Sequence, residues 1–221
     1  METDAVGGTA LTLVFIAWLV FGITFLIRKK RNGPNPDVAK YGPKSKWGIG
    51  LQSIAFAVIW MIPRLHWRVF RASLAGEVIL AFVAVVLAYA GSLFCLRTVQ
   101  TLGKQWTYQA RVFKDHELIT QGPYSIVRNP IYLGMFGMIL GTGLVLSRWW
   151  MALIAIFFFL IGKQIRIRAE EKLLRESFGE KFDDYARRVP SLLSPPLNPA
   201  SYQILFGSRA LCGECCSLHT M

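Results

Sequence analysis

Residues 9–27 contain no charged side chain, and nothing else in the chain limits its fold so strongly. A helix of about 20 apolar residues crosses a hydrocarbon core of about 30 Å. Inside lipid every backbone polar group must be satisfied within the segment, so the run is read as a helix. A cleaved leader fits it poorly, because no basic residue precedes it and no small-residue cleavage site follows. An uncleaved, signal-like segment is the alternative.

Four more apolar segments follow, at roughly 47–63, roughly 73–96, 131–146 and 149–162. Apolar residues make up 53% of the chain and charged residues 17%, a balance that excludes an ordinary soluble domain. The expected fold class is therefore all-α. It is a polytopic membrane protein with about five transmembrane helices, a short C-terminal helical hairpin and cytoplasmic C-terminal helices. The expected organisation is an N-terminal two-helix membrane region over 1–72, a core over 73–195 and a flexible tail over 196–221.

The formal charge of +12 raises nucleic acid as a partner, but no recognition module accompanies it, and none is expected. Lys and Arg instead cluster beside the apolar runs. If the N-terminus is outside, 21 of the 25 basic residues fall on the cytoplasmic side. That asymmetry predicts this orientation, with the C-terminus cytoplasmic and the lipid bilayer as a partner.

The last two segments are short. At about 1.5 Å per residue they span roughly 24 and 21 Å, less than the core they must cross. Only Ser147 and Arg148 join them, so they form a tight hairpin. Gly137 and Gly141, four residues apart, allow a second helix to come close, although ordinary tolerance of glycine in membrane helices explains them equally well. From Lys163 to about Phe178 good helix formers continue the last segment. Gly179 suits a C-cap, and a second short helix over 181–188 ends before Pro190.

The hairpin brings two polar groups side by side. Tyr124, Arg128, Asn129 and Tyr132 stand at its entry. Arg166, Arg168, Glu170 and Glu171 stand just past its exit. Charges at membrane depth are costly unless paired, which makes them candidates for function. Arg166 and Glu170 are i,i+4 and can pair. A plainer reading stands beside this one: Asn129 caps the helix that Pro130 opens, Arg128 snorkels, and the glutamates are surface charges. Trp106 and Tyr108 read first as interfacial belt residues, with a groove lining as the alternative. His116 reads as incidental.

Cysteine is sparse. Cys212, Cys215, Cys216 and His219 resemble half a zinc site, but no frame holds four ligands, so a reduced tail without metal is expected.

The stretch "LITQGPYSIVRNPIYLG", then "RIRAEE", then "FGEKFDDYARRVP" resembles the superfamily of isoprenylcysteine carboxyl methyltransferases and phospholipid methyltransferases. The resemblance covers about residues 96–195. It implies S-adenosylmethionine as methyl donor, held by Gly122, Tyr124, Asn129, Pro130, Tyr132, Glu170 and Glu171. It also implies Arg166, and second Arg128, as the cations that orient an acceptor. Asn129 stands where many members carry His, so no titrating base is available there. The implied activity is methylation of a lipophilic acceptor, foremost an isoprenylcysteine-type carboxylate. A phospholipid, amine or thiol acceptor, an NADPH-dependent sterol-type reductase and a non-catalytic membrane protein are the alternatives. A Rossmann-type cofactor domain has no support, because no Gly-rich loop follows a strand. Oligomeric state is not legible.

Overall fold

The computed structural model describes residues 2–32, 38–61, 74–107, 111–113, 117–146 and 149–191. Tyr108, His116, Ser147, Arg148 and the cysteine tail lie outside them. Among the described residues six α-helices form in chain order: α1 (Glu2–Asn32), α2 (Ser45–Met61), α3 (Leu74–Leu102), α4 (Pro130–Val145), α5 (Trp149–Phe178) and α6 (Glu180–Arg188). A short antiparallel ribbon joins β1 (Val38–Tyr41) to β2 (Arg111–Phe113). It ties the segment after α1 to the segment after α3. The apolar runs understate the helices, because helix-forming polar residues extend α1, α3 and α5 past the last apolar turn.

Among the described residues three helices are long and apolar enough to cross a membrane, within Ala5–Arg31, Leu74–Gln105 and Trp149–Phe178, and α4 is a shorter apolar helix. Their outer faces stay greasy. Leu26, Phe82 and Phe157 are each more than half exposed, a surface that suits lipid and not water. The chain is an integral membrane protein. Lys29, Lys30 and Arg31 occupy the last turn of α1, where they also complement the helix dipole.

Packing pairs the helices α3 with α4, α2 with α5, and α1 with α3. Glycine decides how closely α3 and α4 approach. A Cβ on Gly141 would lie 2.5 Å from the Ala84 carbonyl oxygen, and one on Gly134 would lie 2.6 Å from that of Gly91. These glycines serve close approach, as small residues do between membrane helices. Polar side chains inside the bundle bond across helices. The Trp18 indole donates to Thr142 Oγ1 at 2.9 Å, and the Ser92 hydroxyl donates to the Ala17 carbonyl at 3.0 Å. Ile59, Ile139 and Phe159 centre the main core, and Val14, Ala17, Ala84 and Ala88 a second one.

Past the membrane-length part of α5 the chain turns sharply. Gly179 has φ +52° and its N–H donates to the Arg175 carbonyl at 2.8 Å. This left-handed residue ends α5 and starts α6, as the sequence suggests. α6 is amphipathic and folds back, burying Phe182, Tyr185 and Ala186 against Leu118, Leu174 and Phe178.

Candidate active site

The entry to α4 is built by a 3-10 turn, Gly122–Ser125, and by Pro130 at the first helical position. Gly122 has φ +61°, a conformation that favours glycine. Asn129 occupies the N-cap position, yet its side chain makes no capping bond. Its Nδ2 donates instead to Glu171 Oε1 at 3.4 Å. The capping role is thus corrected: the side-chain amide turns across to α5, where its N–H meets a carboxylate, and its oxygen accepts no N–H of α4.

Arg128 is 5% exposed, so it does not snorkel. Its backbone N–H donates to the Pro190 carbonyl at 3.0 Å, and Nη1 donates to the Ala186 carbonyl at 3.4 Å. Nε lies 3.4 Å from Glu171 Oε1. One residue therefore clamps the end of α6 and pairs the second glutamate.

The first glutamate has its own arginine. Arg166 Nη2 lies 3.6 Å from Glu170 Oε1, the expected i,i+4 pair. The Tyr132 hydroxyl donates to the same Glu170 oxygen at 2.6 Å. The Arg166 guanidinium sits over the Tyr132 ring, 5.3 Å from its centroid, within cation–π range. Nη1 donates to Gln52 Oε1 of α2 at 3.0 Å. Arg168 is exposed and takes no part in this cluster.

Two arginine–glutamate pairs thus lie at the junction of α4, α5 and α6. Both line a cavity of about 530 Å³, together with Tyr124, Asn129, Pro130 and Tyr132. Gly122 is not among the lining residues; it shapes the turn that presents Tyr124. Away from these pairs much of the wall is apolar and aromatic, with Trp18, Phe21 and Phe25 of α1, Phe56 of α2, and Trp106, while Lys29, Gln105, Arg111 and Glu117 also line it. Trp106 is 4% exposed and meets the Phe25 ring edge-on at 5.1 Å. It lines the cavity, as the groove alternative holds, and is no belt residue.

Phe182 and Tyr185 of α6 complete the wall. The Tyr185 hydroxyl donates to the Tyr124 carbonyl at 2.7 Å. Burial pushes the Tyr185 phenol upward, against the pull of Arg128. Burial also raises Tyr124, and Glu170 adds to the effect. Both phenols stay neutral at ordinary pH.

Sequence reasoning missed Gln52, the α1 aromatics and the α6 residues. Nothing in the local pattern of α1 or α2 marks them, since an aromatic on an apolar helix is ordinary. The spacing of Phe178, Phe182 and Tyr185 is the one signal available for α6.

The arrangement can hold a small molecule that carries charges of both signs. The carboxylates accept hydrogen bonds from an ammonium or hydroxyls, and the guanidiniums face a carboxylate. The aromatic wall accepts an apolar body and keeps water away.

Residues 79–181 match the model of a family described as phospholipid methyltransferase. The resemblance read from the motifs holds: the matched stretch runs through α3, α4 and α5. The chain is 36% identical over 115 residues to the nickel-cobalt-cadmium resistance protein NccN of Alcaligenes xylosoxydans xylosoxydans, covering 50% of this chain and 54% of that protein. It is 32% identical over 116 residues to a probable protein-S-isoprenylcysteine O-methyltransferase of Oryza sativa subsp. indica, covering 50% and 59%. It is 39% identical over 80 residues to the protein-S-isoprenylcysteine O-methyltransferase of Schizosaccharomyces pombe, covering 35% and 33%. The chain spans about half the length of the first two of these relatives, and less of the third.

Proposed function

We propose that the chain is an integral membrane methyltransferase that takes its methyl group from S-adenosylmethionine. Its acceptor is lipophilic, foremost an isoprenylcysteine-type carboxylate. One observation carries the reading: two arginine–glutamate pairs line a largely apolar cavity, within a stretch that matches a methyltransferase family.

The residues fit the donor. The cavity of about 530 Å³ falls in the usual range for small-molecule sites, about 300–1,000 Å³. Arg128 Nε is buried, and its contact with Glu171 Oε1 at 3.4 Å is an ion pair outside hydrogen-bond geometry. Such a group suits a site built to meet further acceptors. Glu170 and Glu171 would accept hydrogen bonds from an ammonium or from hydroxyls. Asn129, Tyr132 and the Tyr124–Pro130 turn would hold the remaining polar groups. When bound, S-adenosylmethionine supplies a methyl carbon already activated by a sulfonium.

The protein's own work is alignment and exclusion of water. A carboxylate acceptor needs no base, so Asn129 in place of a titrating residue is no obstacle. Arg166 orients that carboxylate. Arg128 holds Glu171 and α6 in place, and is the second cation. The Trp18, Phe21, Phe25 and Trp106 wall shields the reacting end and receives apolar parts of the acceptor.

Five spans are proposed, with α2 and α4 joining the three long helices. The N-terminus lies outside, and the site and C-terminus are cytoplasmic, on the strength of the basic-residue asymmetry. Region 1–72 completes the cavity wall of the 73–195 core.

The test is methyl transfer from radiolabelled S-adenosylmethionine, by purified protein in detergent, to prenylcysteine analogues and lipid extracts. A base-labile product indicates a methyl ester. A base-stable product moves the acceptor to an amine or thiol, as the phospholipid methyltransferase description suggests. NADPH binding without S-adenosylmethionine binding overturns the reading in favour of a reductase.

A further inference from the structure

The Arg166 guanidinium is held from a helix that lies outside the family-matched stretch. Gln52 of α2 is 2% exposed, and its Oε1 accepts from Arg166 Nη1 at 3.0 Å. Gly48, one turn earlier, clears the way. A Cβ there would collide with Arg166 Cγ and lie 2.6 Å from the Gly162 carbonyl oxygen. The stem of Arg166 thus runs directly over the α2 backbone.

The residue type at 52 is a poor choice for packing. Its Nε2 is buried with no hydrogen-bond partner among the described residues, and a buried orphan donor is destabilising. An apolar side chain of that length would fill the space without this penalty. What glutamine adds is its oxygen, aimed at the guanidinium. The contacts of that guanidinium with Glu170 and the Tyr132 ring each tolerate more than one orientation. An i,i+4 pair forms in several rotamers, and a cation–π contact tolerates sliding across the ring. The directional bond from Gln52, on a different helix, narrows that range.

We propose that Gln52 is a positioning residue: from α2 it fixes the direction in which Arg166 faces the cavity, and with it how the acceptor is held. The link to the acceptor rests on the methyltransferase reading, while the hold on Arg166 does not.

Two measurements separate these. The first is the rate at which phenylglyoxal modifies Arg166, followed by peptide mass spectrometry on the full chain in detergent. Gln52→Met, close in volume, should speed modification several-fold, and Gln52→Glu should leave it slow. Gln52→Asn, one methylene shorter, should follow Gln52→Met and serves if that variant misfolds. The second is steady-state transfer. Gln52→Met should raise the acceptor KM about tenfold, the loss expected for a hydrogen bond to a charged group. Donor affinity should stay unchanged, and Gln52→Glu should restore the acceptor KM. Equal Arg166 modification in wild type and in whichever of Gln52→Met and Gln52→Asn folds overturns the proposal. Faster modification with unchanged acceptor KM overturns its role in the reaction. A wild-type protein that methylates no acceptor strikes the methyltransferase reading alone, and Arg166 modification still decides whether Gln52 holds the arginine.

Discussion

The Tyr132 hydroxyl donates a 2.6 Å hydrogen bond to Glu170 Oε1, joining the first turn of α4 to α5 at the polar end of the cavity. Both residues also touch Arg166, which pairs with the carboxylate and lies over the ring. The three side chains form one unit, and the phenol is its only hydroxyl donor. Tyr132→Phe keeps the ring and the cation–π contact but removes the donor. A hydrogen bond to a charged group contributes about 1.5–3 kcal/mol, so the proposed methyl transfer should fall about ten- to a hundredfold. The variant should still purify as a single detergent-solubilised species, and kinetics against wild type check the loss.

Glu171→Ala removes the counter-charge of Arg128, whose side chain is 2% exposed. An uncompensated buried charge costs about 3–5 kcal/mol. The guanidinium also bonds the Ala186 carbonyl, so the damage should centre on α6. Hydrogen exchange should show the amides of 180–188 losing protection, while those of α3 remain protected.

Gly141→Val should lower thermal stability in detergent. The new Cβ would meet the Ala84 carbonyl at 2.5 Å, and overpacking a tight contact costs about 1–3 kcal/mol. Gly50→Ala is the matched control, because a Cβ there meets nothing within 4 Å. An equal loss in both variants would contradict the close α3–α4 contact.

Alkali should loosen α6. Burial raises the Tyr185 phenol above its unfolded value of 10.0. Its contribution is therefore complete below about pH 10 and is lost as pH rises from there through the higher folded value. Trypsin cleavage within α6 should accelerate above about pH 10. Tyr185→Phe cannot ionise, so it should lack that transition and be less stable at neutral pH through loss of the bond to the Tyr124 carbonyl.

The membrane character was legible before any fold was known. Apolar runs of that length have few ways to satisfy their backbone, and helices across lipid are the direct one. The short hairpin was legible too, since two residues cannot separate 131–146 from 149–162 by any distance. From that alone Arg128, Asn129 and Tyr132 had to lie near Arg166, Glu170 and Glu171. The turn at Gly179 and the start of α4 at Pro130 followed from backbone chemistry at single residues.

What the sequence left open was the pairing across helices. Arg166 could be matched with Glu170 by spacing, but not with Gln52, 114 positions away in the chain. Asn129 looked like a cap because capping is decided within four residues, and only the folded chain places Glu171 within its reach. The aromatic wall of α1 and the return of α6 over the cavity are likewise products of tertiary packing. Helix periods and caps are local and can be read along the chain. Which apolar face meets which neighbour depends on contacts between distant segments, and only the packed helices decide it.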